Sequence, residues 1–408
     1  MKGDFHPRSG AIRLDRAAEA GTRRQDSSNL SPEIRSLTMG TGRRAPQLSG
    51  PRRLNTYTAQ RIAATGPARR HPDNETPWVI VLVAHLERGS APTPDVLVDR
   101  LEGVAPNFPL ISSRLHGKWW VPSTLPVISV AESGTAPLAV APIAAFDLRN
   151  EPPVRVVVDM QRDWLVLCAH HFAFDGLGVV SLLRSLLTGS SEVAPDYRVR
   201  ISPRRAPTDA IRRLIWPADR VAPSDAPPEA DSFVSTKVTL PGRNLTARLS
   251  RATAAAAGEH NRMRNRPLRR IGLSVAVGGV GGEAATYRRV DVLPGQDVVA
   301  AVNEALADPE VPTEVNGLPP GAFLLRPLLK RFSDTALISN LGRLDLNSVT
   351  SVEFYPVARG RSAVAIGAAG LAGQPITLTL RARDLDANDA ELFLERIVVH
   401  LDAQDERS

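Results

Sequence analysis

A mixed α/β fold built in two halves is predicted by three features of this 408-residue sequence. Short β-branched apolar runs, such as WVIVLVAHL at 78–86, have the length and composition of buried strands. Segments with apolar residues at helical spacing are interspersed with them, the pattern of an α/β class. A long stretch rich in Pro, Arg, Asp and Ser, residues 188–230, divides the chain into two parts of similar composition. Hydrophobic residues make up 43% and charged residues 23%, which is enough apolar sequence for a sizeable core.

Residues 1–50 read as a disordered basic arm, because Arg, Ser, Gly and Pro occur there without a sustained apolar period. Ordered sequence is expected from about Leu54, with a first half over 54–187. Trp78–Leu86 is its first buried strand. Thr93–Leu101 follows as a helix, with Thr93 as N-cap, Pro94 at the first helical position and Val96, Leu97 and Leu101 on the apolar face. Two apolar runs flank Gly117-Lys118 and predict a hairpin. Val154–Met160 and Trp164–His170 predict a second antiparallel hairpin across a short polar connection. A helix over about Leu177–Leu187 carries Leu177, Val180, Leu183, Leu186 and Leu187 at helical spacing.

After the 188–230 linker, the second half is expected over 231–408. It opens with a strand at Ser232–Leu240, then an alanine-rich helix, then the strand Ile271–Val277. Gly278, Gly279, Gly281 and Gly282 read as a turn or a disordered excursion, since no Lys-Ser/Thr follows as a phosphate cradle requires. A helix near Gln296–Leu306 precedes strands near Thr335–Ser339, Ser351–Pro356, Ala363–Gly367 and Ile376–Arg381. An amphipathic helix over Asn388–Leu401 closes the chain.

Composition excludes several functions. The net charge is +7, yet residues 1–70 alone hold fourteen Lys/Arg against five Asp/Glu, so the body of the chain is close to neutral. The body has no basic patch interleaved with aromatics, and no nucleic-acid partner is expected. No apolar run approaches the roughly 18 residues of a membrane helix, and the start lacks the apolar centre of a secretory signal. A cytoplasmic protein is expected. The single cysteine, Cys168, excludes a disulfide framework and a cysteine-cluster zinc site.

The stretch from Cys168 to Gly178, CAHHFAFDGLG, carries the chemistry. His170 and His171 end a strand, Asp175-Gly176 follows, and a helix begins. Imidazole titrates near neutral pH and accepts a proton at one nitrogen while the other is held. Neighbours on a strand face opposite ways, so one histidine faces a cleft while the other packs inward. Asp175 is placed either to cap the helix or to pair with an Arg behind the loop. Gly176 permits a tight backbone turn.

The spacing His-His-x-x-x-Asp-Gly at a strand-to-helix junction resembles the signature of the chloramphenicol acetyltransferase-like superfamily. That group includes peptide-synthetase condensation domains, polyketide-associated acyltransferases and wax ester synthases. Supporting segments occur in order: Pro109-Leu110 with Arg114 and Trp119-Trp120; Asp147-Leu148 with Glu151-Pro152-Pro153 and Arg155; Ile338–Asp345; Glu353-Phe354 with Pro356-Val357; and Ile376–Arg381. The resemblance covers about 54–401. The glycine-rich segment after Val277 and the lack of an Asp-Phe-Gly-Trp form in the second-half strand depart from ordinary peptide condensation domains. They tilt the resemblance toward an acyltransferase or a freestanding condensation enzyme.

The resemblance implies two chloramphenicol acetyltransferase-like halves around a central tunnel. It implies transfer of an acyl group from a thioester, acyl-CoA or a phosphopantetheinyl carrier protein, to a hydroxyl or amine acceptor. His171 would be the general base. His170 would hold the loop, Asp175 would fix it through a buried Arg, and Gly176 would offer room or an N–H. Ser339, Asn340 and the backbone around Gly342 would be the candidates to serve the oxyanion. No tightly bound cofactor and no metal are expected, and the chain is expected to act as a monomer. Arg198–Arg205 and Arg262–Arg270 would supply a locally basic mouth for the donor. The rival is a catalytically silent docking module of the same fold. A metal hydrolase is disfavoured because adjacent strand histidines do not readily share one ion.

Overall fold

The computed structural model of the chain describes residues 62–63, 78–117, 119–132, 134–141, 143, 145–171, 173–190, 215–240, 244–277, 286–307, 334–357 and 364–405. The arm at 1–50, the glycine-rich loop at 278–282, Arg198–Arg205 and most of the 188–230 linker lie outside these residues. In chain order, the first part runs β1 (Ile62–Ala63), β2 (Val79–Leu86), α1 (Pro94–Val104), β3 (Ser113–His116), β4 (Trp119–Pro122), β5 (Ile128–Val130), α2 (Pro137–Val140), β6 (Val154–Asp159), β7 (Trp164–His170) and α3 (Gly176–Thr188). The second runs β8 (Ser232–Val238), α4 (Leu245–Met263), β9 (Ile271–Val277), β10 (Thr286–Val292), α5 (Val298–Ala307), β11 (Ala336–Leu344), β12 (Val349–Tyr355), β13 (Val364–Leu371), β14 (Ile376–Ala382) and α6 (Ala387–Asp405).

The local chemistry of these elements follows the sequence. The β6–β7 hairpin turns where Asp159 Oδ1 accepts the N–H groups of Gln161 and Arg162 at 2.8 and 3.1 Å. Asp163 completes the turn at φ 53°. Thr93 Oγ1 accepts the Val96 N–H, Pro94 opens α1, and Leu97, Leu101 and Val104 are buried. Helix α3 stops at Gly189, whose φ of +71° is the left-handed conformation that glycine adopts without strain.

Among the described residues these strands form three sheets. The five-stranded sheet has the order β12-β2-β7-β6-β5, the six-stranded sheet β10-β9-β11-β13-β14-β8, and the small one β1-β4-β3. One face of the five-stranded sheet packs under α1 and α3 through residues such as Ile80, Leu82, Leu167, Leu97 and Leu183. One face of the six-stranded sheet is covered by α4, α5 and α6, with buried alanines of α4 against Leu273, Val275 and Ile338.

The sequence expectation holds no strand at β1 or β5, and two further strands depart from it. β12 belongs to the second half by position, but it pairs antiparallel with β2 at the edge of the first sheet, Phe354 opposite Leu82. The two sheets therefore meet where β12 passes over β13 and β14. There Thr379 Oγ1 donates to the Phe354 carbonyl, and a Cβ at Gly367 would strike that same oxygen. β10 is a strand that the sequence pattern does not announce. Its sequence, TYRRVDV, has no apolar run, yet all seven residues pair with β9, from Thr286 opposite Val277 to Val292 opposite Ile271.

Candidate functional site

The site is built at the end of β7. The ladder with β2 continues one residue past the strand, His171 N–H donating to the Trp78 carbonyl at 2.8 Å. The His170 carbonyl then accepts the N–H groups of Ala173 and Phe174, which reverses the chain. Asp175 takes the N-cap position, its Oδ1 accepting the Gly178 N–H at 2.7 Å, and α3 departs. The turn thus fixes His171 from both sides.

The two histidines separate as strand alternation requires. His170 is buried on the side of Cys168, edge-on to the Phe146 ring at 5.9 Å. The Arg155 guanidinium lies over that ring, 4.0 Å from its centroid, and is paired with Glu151 at 2.7 Å. His171 instead faces the cleft. Its Nδ1 is 3.2 Å from the Phe174 carbonyl and its Nε2 is 2.6 Å from the Tyr287 hydroxyl. A carbonyl only accepts, so in the neutral ring Nδ1 carries the hydrogen and Nε2 the lone pair. The turn that caps α3 therefore also selects the tautomer of His171.

The cleft beside His171 is lined from both sheets. Ile80, Asp175, Gly176 and Leu177 come from the first part of the chain, and Ala276, Tyr287, Ser339, Asn340 and Leu341 from the second. Phe354, Pro356 and Val357, on and just after β12, complete it. Gly176 belongs there for lack of space, because a Cβ would stand 2.9 Å from both Leu341 Cδ2 and Phe354 Cζ. Ser339 is buried within this lining. Asn340 also lines the cleft, but its amide donates to Thr246 Oγ1 at 3.1 Å and its Oδ1 accepts the Gly342 N–H at 2.9 Å. Gly342 is exposed, at φ +73°, and does not line the cleft. Its N–H is engaged by the Asn340 side chain.

Within Arg262–Arg270, Arg264 pairs with Asp225 and Asp389, and Arg270 lies 5.6 Å from the Trp216 ring centroid. Neither lines the cleft.

The chain's one thiol is not part of the site. Cys168 is fully buried, and burial pushes its pKa up to about 12, so it is a packing residue rather than a nucleophile. Behind the cleft, Glu353 accepts from the Tyr355 hydroxyl at 2.6 Å and lies 3.1 Å from His85 Nε2. Burial alone would raise the Glu353 carboxyl, but the bonds from His85, Tyr355 and Ser235 outweigh it and hold its pKa below the ordinary value. Arg381, on β14, is buried. It donates to Asp231 Oδ2 and to the Val79 carbonyl on β2, each at 2.5 Å, tying one sheet to the other. Burial pulls its pKa down, and the Asp231 charge opposes that.

Tyr287 is the site residue that sequence reasoning missed. The usable signal was an alternation, Tyr287, Arg289 and Asp291 against Val290 and Val292, after the glycine-rich segment. Its bond to His171 spans 116 positions.

No family model and no curated protein matches the sequence. Solved structures match its fold. The chain is similar to the first condensation domain of the CDA synthetase, with 16% identity, a TM-score of 0.56, and coverage of 84% of this chain and 96% of that one. It is similar to a substituted starter condensation domain of the rhizomide synthetase RzmA, in complex with C8-CoA and Leu-SNAC. That match has 13% identity, a TM-score of 0.53, and coverage of 80% and 89%. It is also similar to the condensation domain of the Monacolin K polyketide synthase MokA, with 12% identity, a TM-score of 0.52, and coverage of 84% and 96%. The chain has the condensation-domain fold. Among its described residues, no helix is long and apolar enough to cross a membrane.

Proposed function

We propose that this protein is an acyltransferase of the condensation type. It moves an acyl group from a thioester, on CoA or on a carrier protein, to a hydroxyl or amine acceptor. The reading is carried by His171, whose Nε2 lone pair meets the Tyr287 hydroxyl in a cleft lined from both sheets while Nδ1 is held by the Phe174 carbonyl. That arrangement suits a general base acting on a proton held in the cleft. The acceptor attacks the thioester carbonyl, a proton passes to Nε2, and a proton later returns to the departing sulfur. The tetrahedral oxyanion needs a donor, an interaction worth about 3–4 kcal/mol. Ser339 supplies it in this reading, since the Asn340 amide and the Gly342 N–H are engaged elsewhere. No covalent acyl-enzyme is required, in keeping with a buried, non-nucleophilic Cys168.

The retained His171 and Asp175 favour this over a silent docking module. That a domain of the same fold was solved with C8-CoA and Leu-SNAC supports using such thioesters as probes. The test offers one acyl group on CoA and on carrier proteins to a panel of alcohols and amines and follows thiol release. His171→Ala is expected to lose about 100-fold or more in turnover while keeping its melting temperature. A folded wild type inactive with every donor would return the silent-module reading. Among the donors, a carrier-bound thioester is expected to outperform CoA, and efficient transfer from free CoA with no gain from a carrier would reverse that order.

A further inference from the structure

The acyl-transfer reading leaves open how the acceptor's proton reaches His171, and a role for Tyr287 in that step rests on the same reading. An imidazole nitrogen has one lone pair, in the ring plane. At Nε2 it is taken by the Tyr287 hydroxyl at 2.6 Å, which must be the donor because Nδ1 already carries the hydrogen toward Phe174. A substrate hydroxyl or amine that delivered its proton directly would have to stand about 2.6–3.2 Å from the same lone pair. Two donors cannot occupy it, so either the phenol leaves or the phenol carries the proton.

The surroundings of Tyr287 hold it in place. Its backbone lies in the β9–β10 ladder opposite Ala276. Its ring packs on the buried side chains of Leu337 and Ala365 and meets the imidazole edge-on, with centroids 6.1 Å apart and planes at 69°. Tyr287 also lines the cleft. A phenol oxygen that donates to Nε2 keeps lone pairs with which to accept from a substrate in the cleft.

We infer that Tyr287 is a catalytic residue, a proton relay between the acceptor and His171. As the acceptor's oxygen or nitrogen bonds to the thioester carbon, the carbonyl π pair moves onto oxygen. The acceptor's proton passes to the Tyr287 oxygen while the phenol's own proton passes to Nε2. On collapse the carbon–sulfur bond breaks, its electron pair leaves on sulfur, and the imidazolium returns a proton along the same path to the thiolate. Tyr287 is neutral at the start and end of the cycle, and no other reactant is consumed.

Tyr287→Phe removes the hydroxyl and keeps the ring, so it separates relay from packing. With C8-CoA as donor and water or hydroxylamine as acceptor, the expected result is an unchanged melting temperature, an unchanged KM for C8-CoA and a kcat lower by about 100-fold. Fluorinated tyrosine at position 287, a more acidic phenol, is expected to move the alkaline limb of the kcat–pH profile to lower pH. Without any substrate, diethyl pyrocarbonate is expected to modify His171 faster in Tyr287→Phe, because the lone pair is freed. Equal modification rates would remove the hydrogen bond on which the relay depends. Equal or faster turnover in Tyr287→Phe would show a phenol that merely blocks the base, and would overturn the relay. If His171→Ala is inactive while Tyr287→Phe is not, the relay alone fails. If His171→Ala is as active as wild type, the acyl-transfer reading fails and the relay with it.

Discussion

The Asp175 carboxylate closes the turn that carries His171, and its most direct effect is on the N-terminus of α3. Its Oδ1 takes the Gly178 N–H at 2.7 Å, and the residue is buried at the cleft. Replacing a helix cap by alanine costs about 0.5–2 kcal/mol, whereas asparagine caps as well as aspartate. Asp175→Ala is therefore expected to lower stability in denaturant melts by about 1–2 kcal/mol and to loosen the Phe174 carbonyl that sets the His171 tautomer. Asp175→Asn should keep most of that stability. If asparagine costs as much as alanine, the negative charge, not the cap, is what the fold uses, as the resemblance to a buried Asp–Arg pair implied. These residues were legible in the sequence because strand end, turn and cap sit within a few positions of one another. Tyr287 was not, because its partner lies 116 positions away and the strand that presents it has too few apolar residues to announce itself.

Strands show the same division between what is local and what is not. Short apolar runs are enough to place most of them, and the β6–β7 hairpin can be paired because its connection is short. β12 can be placed but not partnered. Alternation says which of its residues face a core, and nothing in seven residues says which sheet edge receives them. Its place is fixed by a close crossing. A Cβ at Gly367 would collide with the Phe354 carbonyl oxygen, the Thr379 hydroxyl and, at 3.0 Å, the Pro356 ring. Since the first obstacle is backbone, no rotamer change relieves it. Gly367→Ala is expected to destabilise the protein by about 1–3 kcal/mol or more, read from the shift in urea midpoint. Gly176→Ala meets only the ends of the Leu341 and Phe354 side chains, at 2.9 Å, and is expected to cost less stability while narrowing the cleft and lowering turnover. A Gly367→Ala protein as stable as wild type would mean that the two sheets are not locked at this crossing.

Among the described residues, three groups that titrate toward the acid side, His260, Glu353 and Asp389, have ionisation displaced in the same direction. Burial lowers the pKa of His260 below its ordinary 6.5, the Ala222 carbonyl only partly opposing it. At Glu353 and Asp389 burial would raise the carboxyls. Donors outweigh it: His85, Tyr355 and Ser235 at Glu353, Ser224 and Arg264 at Asp389. These hold the two groups below their ordinary 4.5 and 3.8. In each case the unfolded chain binds protons more readily than the folded one, so stability must fall as pH falls. The His260 contribution is complete above pH 6.5 and is lost as pH drops through its lower folded value. The carboxylate contributions are complete above about 4.5 and are lost below it. The groups occupy different places, Glu353 on β12 against β2, and His260 and Asp389 on α4 and α6. Acid should therefore weaken both the sheet junction and the helical layer. Denaturant melts from about pH 7.5 downward are expected to show a first decline below 6.5 and a steeper one below 4.5. Glu353→Gln keeps the shape of the side chain but cannot titrate. It should flatten the second decline and leave the first unchanged, at the cost of a lower stability at neutral pH. A Glu353→Gln protein with the same slope below 4.5 as wild type would mean that the β12–β2 edge contributes nothing to the acid response.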